Sequence, residues 1–256
     1  MIFYFSATGN TKHVVDIIKQ ENEETVSIEN AIEKSQYDYV IDDGRIGILT
    51  PTYDWGLPSI VYEFLEKVSF YFGTKPYIFY VGTYGTTTGS ASAFVDSLLK
   101  TKNLKLDAKF DIKMPDTWTV LFDLSNKEKV NRKIEKAEEE IFKLKIKLNN
   151  KISGKHMSFT TPLFIGKMGK QIYDNKTRKT SNLSVTDDCI GCGLCARKCP
   201  VKAIEIINKK PVWVKEECAM CLGCLHRCPK FAIYYGNGKA TKKHGQYTFQ
   251  KFISKK

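Results

Sequence analysis

All eight cysteines of this 256-residue chain lie between Cys189 and Cys228, in the runs CIGCGLCARKCP (189–200) and CAMCLGCLHRCP (218–229). Both have the form C-x2-C-x2-C-x3-C-P. Every cysteine and the closing proline of the second run follow their counterparts at one constant offset, and Ala203 and Ile204 recur in the same way as Ala232 and Ile233. The segment is an internal duplication. Three thiolates at three-residue spacing grip three irons of one cubane, whereas the fourth lies too far along the chain to join them and reaches the neighbouring cluster. Two 4Fe-4S clusters are expected: one on Cys189, Cys192, Cys195 and Cys228, the other on Cys218, Cys221, Cys224 and Cys199. Zinc is the competing metal, but structural zinc draws two ligands from each of two separated knuckles, and neither run divides that way. A disulfide-stapled chain would spread its cysteines, so a dense group behind a long cysteine-free stretch points to a metal site in a reducing compartment. The first residues, MIFYFSATGN, lack a basic region and a cleavage site. No apolar run approaches the ~18 residues of a membrane span. A cytoplasmic protein with no membrane contact is expected.

The front of the chain alternates strand-like and helix-like segments. IFYFS (2–6), RIGILTPTY (45–53), YIFYVGTYG (77–85) and, more weakly, KFDIKM (109–114) read as strands. Between them, Val14, Ile17 and Ile18, then Leu57, Ile60, Val61, Phe64, Leu65 and Val68, then Ala91, Phe94, Val95, Leu98 and Leu99 repeat at helical spacing. Strands separated by helices argue for a parallel sheet with right-handed crossovers. A further helix carries Val130, Ile134, Ala137, Ile141, Leu144 and Leu148, with Ser125 and Glu128 placed as a capping box. Residues 151–182 lose this periodicity and read as a linker, yet Phe159, Leu163, Phe164, Ile165 and Met168 are too apolar for a free tether and are expected to pack across the domain boundary.

Three loops lie where the strands end. Ser6, Ala7, Thr8, Gly9, Asn10 and Thr11 leave the first strand and enter a helix, so their amides and hydroxyls converge at the positive end of that helix and can hold a phosphate. This is neither the G-x-G-x-x-G fingerprint nor a Walker motif. The loops TPTYDWG (50–56) and GTYGTTTG (82–89) offer Pro51, Thr52, Tyr53 and Trp55, and Gly82, Thr83, Tyr84 and Gly85. Their aromatics can stack on a flat ring system while backbone groups bond its polar edge.

The S-A-T-G-N-T segment resembles the flavodoxin phosphate loop, Ser/Thr-x-Thr-Gly-x-Thr, and the cysteine runs resemble the bacterial two-cluster ferredoxins. Together the chain resembles the flavodoxin/ferredoxin fusion proteins of anaerobic microbes. The resemblance implies an α/β, doubly wound parallel five-stranded sheet of order 2-1-3-4-5 over residues 1–150 that binds FMN. The linker 151–182 follows, then a small α+β ferredoxin domain over 183–236, then a basic tail, 237–256. It also implies electron transfer between one FMN and two clusters, linking two-electron and one-electron partners. An FMN-dependent reductase of a small substrate is the alternative, and an interaction module that has lost its cofactor is a third. No catalytic acid or base stands out: His13, His156 and His244 are isolated, and Asp54 is equally well a turn residue. Trp213 is expected to fill a hairpin core, and His226, between two cysteines, to be an exposed bystander.

The formal charge is +12, with lysines concentrated in 127–179 and in the tail. Cofactor charge would bring the loaded chain to about +6. Solvated faces with a loose tail explain this, as does a dock for an acidic redox protein; no motif for nucleic acid accompanies the charge.

Overall fold

The computed structural model describes residues 1–42 and 44–250. Strand β1 (Ile2–Tyr4) runs through the S-A-T-G-N-T loop into α1 (Asn10–Ile18), and β2 (Thr25–Ser27) leads into the short α2 (Ile28–Glu33). Then follow β3 (Asp38–Val40), β4 (Arg45–Pro51), α3 (Ser59–Lys67), β5 (Ser69–Tyr71), β6 (Tyr77–Tyr84), α4 (Ala91–Lys100), β7 (Ala108–Lys113), α5 (Lys127–Asn149) and β8 (Gly154–His156). The main sheet has the order β2-β1-β4-β6-β7-β8, with every pair parallel. Its first five strands follow the 2-1-3-4-5 pattern. The sixth, β8, is an added edge strand drawn from the stretch read as linker, and β3 pairs with β5 in a separate ribbon.

The central strands β4 and β6 are buried along almost their whole length, as crossover helices on both faces require. On one face Val14, Val15 and Ile18 of α1 and the apolar stripe of α5 cover Ile2, Phe79, Val81 and Phe110. On the other, Ile60, Phe64 and Leu65 of α3 and Val95 and Leu99 of α4 cover Phe3, Ile48 and Tyr80. The cap of α5 is Asn126, whose side chain accepts from the Lys129 amide at 2.9 Å. Ser125 instead bonds Asp123, so the expected capping box does not form. At the start of β4, Arg45 is buried against Glu23, donating from Nε to Oε1 at 2.7 Å.

After β8 come α6 (Leu163–Ile172), β9 (Leu183–Val185), α7 (Leu194–Arg197), β10 (Ile204–Ile207), β11 (Lys210–Trp213), α8 (Gly223–Arg227), β12 (Ile233–Tyr235) and α9 (Lys239–His244). Antiparallel pairs β9–β12 and β10–β11 frame the cysteine runs. The duplication persists in the backbone. Left-handed conformations recur at Gly191 and Met220, at Gly193 and Leu222, and at Lys202 and Phe231. The amide of Ala203 donates to Cys199 Sγ and that of Ala232 to Cys228 Sγ, each at 3.3 Å.

The segment between the two parts is built in, but not by three of the apolar residues expected to do so: Phe159, Phe164 and Met168 are exposed. On α6, a Cβ at Gly166 would overlap Ser90 and one at Gly169 would overlap the Asp54 carbonyl, so only glycine permits this close approach to the loops after β4 and β6. Tyr173, just beyond α6, is buried and donates its hydroxyl to the Ala219 carbonyl at 2.7 Å, and Arg178 Nε donates to the Cys218 carbonyl at 3.0 Å. The described part of the basic tail is not loose: after α9, Tyr247 and Phe249 are buried against the front sheet. Residues 251–256 of that tail lie outside the described residues. Among the described residues no helix is long and apolar enough to cross a membrane.

Candidate functional site

A cleft of about 300 Å³ opens at the carboxyl ends of β1, β4, β6 and β7, where doubly wound sheets bind ligands. Of the residues expected to form it, Ser6, Ala7, Thr8, Asn10, Thr11, Pro51, Thr52, Tyr53, Trp55, Thr83, Tyr84 and Gly85 line it. Gly9 and Gly82 do not. Gly9, with φ +100°, faces Phe249, and Gly82 faces the Tyr80 ring; both serve the chain's path rather than the cavity.

Helix α1 starts at Asn10 with no side-chain cap from Gly9, and Ser6 Oγ takes the Lys12 amide at 3.1 Å from outside the helix. One first-turn amide, that of Lys12, is thus taken within the loop, and the amides before it point out of the helix N-terminus, where anions bind. Two side chains of the loop are already committed. Thr11 Oγ1 shares a 2.7 Å hydrogen bond with Thr83 Oγ1, and Asn10 Nδ2 donates to the Pro115 carbonyl at 3.0 Å. Further round the cleft, Thr52 Oγ1 and Asp54 Oδ2 are buried without a hydrogen-bond partner. Burial pushes the Asp54 carboxyl up, only partly offset by the Thr177 side chain. Asp54 and Trp55 both have left-handed backbones, at φ 43° and 60°, and buried polar atoms left over on a strained turn favour a ligand that bonds them.

Two parts of the wall went unread in the sequence. One is the loop after β7, Met114 to Trp118, where Asp116 accepts from the Trp118 amide at 2.9 Å and from Thr86 Oγ1 at 3.2 Å. Its signal was its place after a fifth strand. The other is Met220, Cys221 and Leu222 with Tyr173, from beyond the front sheet. In the first cysteine run, the positions equivalent to Met220 and Leu222 are glycines. The second run puts bulky apolar residues into the same left-handed backbone, at φ 43° and 52°. That substitution costs about 1–2 kcal/mol per residue in backbone energy. It supplies the apolar wall of the cleft.

The eight cysteines fall into two groups. One small cavity is lined by Cys189, Cys192, Cys195 and Cys228, the other by Cys199, Cys218, Cys221 and Cys224. None of the eight is joined in a disulfide. Burial pushes the Cys218 thiol up to about 11 and Cys221 to about 12. Such sulfurs become thiolates when iron shares their charge. The two cavities differ in exposure: Cys192 and Ile190 face solvent at the first, whereas Cys218 is buried at the second. Trp213 lines the second cavity, half-buried beside the sulfurs.

His226 is not an exposed bystander. It is fully buried, its Nε2 pairs with the Thr117 carbonyl at 2.8 Å, and its Nδ1 accepts from the Tyr247 amide at 3.1 Å. Burial pulls its pKa down to about 4, which keeps the ring neutral. Nor is His13 isolated: its ring stacks on Phe249 at 4.0 Å and its Nε2 meets Glu138 at 2.5 Å.

Residues 1–141 match the family profile of the flavodoxin domain. The chain belongs to the flavodoxin family. Beyond this flavodoxin domain, residues 182–229 match the 4Fe-4S dicluster domain, so the chain is a flavodoxin/ferredoxin fusion, built of two electron-transfer modules. Among solved structures, the rubredoxin oxygen:oxidoreductase from the anaerobe Desulfovibrio gigas is similar at 15% identity and a TM-score of 0.35, over 57% of this chain and 36% of its own. The flavodoxin chain thus spans little more than a third of that protein's length. No curated protein matches it.

Proposed function

We propose that this flavodoxin/ferredoxin fusion binds one FMN in the cleft and two 4Fe-4S clusters in the cysteine cavities, and passes electrons among them within one chain. One observation carries the reading: Met220, Cys221 and Leu222 line both the cleft and the cavity of Cys199, Cys218, Cys221 and Cys224. A ligand of the inner cluster is therefore also a wall of the flavin site. The exposed cavity of Cys189, Cys192, Cys195 and Cys228 lies at the outer end of this route and is the contact for an external one-electron partner. Bound FMN would supply the exchange between paired and single electrons.

The chain's own residues do the rest. First-turn amides of α1 and the Thr8 hydroxyl hold the phosphate. Tyr53, Trp55, Tyr84 and Trp118 enclose the ring and keep water from it. Met220 and Leu222 exclude water between cleft and cluster. The partner we envisage is an acidic redox protein, drawn by the excess of lysine, in the cytoplasm of an anaerobe. A second reading, reduction of a small substrate at the flavin, is favoured by the unpartnered Oδ2 of Asp54, a candidate proton donor at the cleft.

The test is an anaerobic preparation of the whole chain with iron and flavin quantitation, followed by reduction of the clusters with substoichiometric dithionite. Flavin bleaching that follows cluster reduction with no partner added supports intramolecular transfer. Clusters and flavin that titrate independently would defeat it, and flavin reoxidation only on adding a small acceptor would favour the second reading.

A further inference from the structure

The C-terminal segment after α9 crosses both modules. Thr119 Oγ1 donates to the Gly245 carbonyl at 2.9 Å, anchoring its start. Gln246 Nε2 then donates to the carbonyls of Leu225 and Cys228, at 2.6 and 2.8 Å, and so closes on the end of α8. The next residue, Tyr247, gives its amide to His226 on that helix and its hydroxyl to Asn10 Oδ1 at 2.8 Å. Two residues on, the Phe249 amide donates to the Thr8 carbonyl at 2.8 Å, and the Phe249 Cβ stands 2.9 Å from where a Cβ of Gly9 would be. Residues 245–249 thus bond α8, which carries Cys224 and leads into Cys228, at one end and the phosphate loop at the other.

The geometry points to residues 245–250, locked to α8 through His226 and Gln246, as a positioning strap that couples flavin occupancy of the phosphate loop to retention of the iron–sulfur clusters. The inference rests on the flavin and cluster assignment above. Helix α8 supplies Cys224 to one cavity and leads directly into Cys228 at the other, so its order follows from cluster assembly. An ordered α8 fixes Gln246 and Tyr247; Tyr247 holds Asn10 and Phe249, two residues on, holds Thr8 in the conformation that presents the α1 amides. Because the coupling is a free energy between two sites, it is reciprocal: a bound flavin must stabilise the clusters as much as the clusters favour flavin. Neither Gln246 nor Tyr247 lines the cleft, so any effect they have on flavin acts through Asn10 and Thr8.

The experiment uses the full-length chain, cluster-loaded anaerobically, with and without FMN. Two quantities are read: the FMN Kd by quenching of flavin fluorescence, and the rate of iron loss to a ferrous chelator. In the wild type, FMN is expected to slow iron loss severalfold. Tyr247→Phe removes one buried hydrogen bond and is expected to weaken FMN binding about fivefold, with iron content unchanged and most of the slowing gone. Gln246→Ala, which touches α8 and not the phosphate loop, is expected to weaken FMN in the same direction. If both variants bind FMN like wild type and keep the full slowing, protection runs through the shared Cys221 wall and the strap plays no part. A wild-type chain that takes up iron but no FMN defeats the flavin assignment, and this coupling with it.

Discussion

The left-handed backbone at Leu222 makes an unusual prediction about which truncation harms the protein less. Leu222 is almost fully buried, so removing its side chain forfeits about 2–5 kcal/mol of transfer and cavity energy. At most buried sites glycine is worse than alanine by about 0.5–1 kcal/mol, because it adds backbone freedom to the unfolded chain. At φ 52° and ψ 14° the order should invert. Alanine keeps the left-handed strain of about 1–2 kcal/mol, whereas glycine is free of it. Leu222→Gly should therefore be the more stable variant by about 1 kcal/mol, with both below wild type. Leu225, equally buried but inside α8, is the control, and there Leu225→Ala should exceed Leu225→Gly. Anaerobic urea denaturation of the cluster-loaded chain, followed by cluster absorbance and far-UV circular dichroism, reads all four. Both Leu222 variants open the same wall and should weaken FMN about tenfold. An alanine variant at 222 as stable as the glycine variant would refute the strain argument.

Other outcomes follow from the site. Cys228→Ser should remove only the exposed cluster and leave flavin reduction by the inner one intact, whereas Cys199→Ser should disconnect the flavin; iron content falls by about half in each, and loss of the same spectroscopic signal from both would undo the crossed ligation. Tyr173→Phe leaves the Ala219 carbonyl and the Ser59 amide, bonded at 2.7 and 3.3 Å, without a partner. It should cost about 1–3 kcal/mol in urea, against about 0.5 kcal/mol or less for the exposed Tyr71→Phe. Burial pushes the Glu23 carboxyl up, but bonds from Arg45 and the Gln20 amide outweigh this and hold it below the usual range. The stability it adds is thus full above pH ~4.3 and lost as pH falls. Glu23→Gln, which breaks a buried pair, should cost about 3–5 kcal/mol at pH 7, and its gap from wild type should narrow on acidification.

What was legible in the sequence is what local chemistry dictates. The doubled cysteine spacing marked which four cysteines gather at each cavity, and apolar runs marked β1, β4 and β6. The three-residue β2, TVS, and β8, GKH, carry no alternation and little apolar area, so only their pairing in the folded sheet marks them. His226 was misread because its partners, Thr117 and Tyr247, are brought to it by the fold and not by the cysteine motif. The tail was misread for a related reason: its lysines suggest solvent, while Tyr247 and Phe249 carry it into the core. Met220 and Leu222 were visible as departures from glycine in the duplicated run, but their meaning depends on a cleft that belongs to the other module.

A separate flavodoxin and ferredoxin exchange electrons only after a diffusional encounter, and charge on their surfaces sets how often that occurs. Here β8, α6, Tyr173, Arg178 and the 245–250 segment fix one module on the other, with a shared wall where an interface would otherwise form. Transfer between the inner cluster and the flavin should then be first order, independent of protein concentration. It should also be flat with added salt, since no charged surfaces have to approach. Exchange with the acidic carrier proposed above would still require an encounter with a basic surface, so its rate should fall steeply as ionic strength rises and the Debye length shrinks from about 10 Å at 0.1 M to about 3 Å at 1 M. Flash reduction followed in one sample over that salt range separates the two steps. An internal step that slows in parallel with the external one would mean that the modules part and re-dock during turnover, and the rigid wall would lose its role.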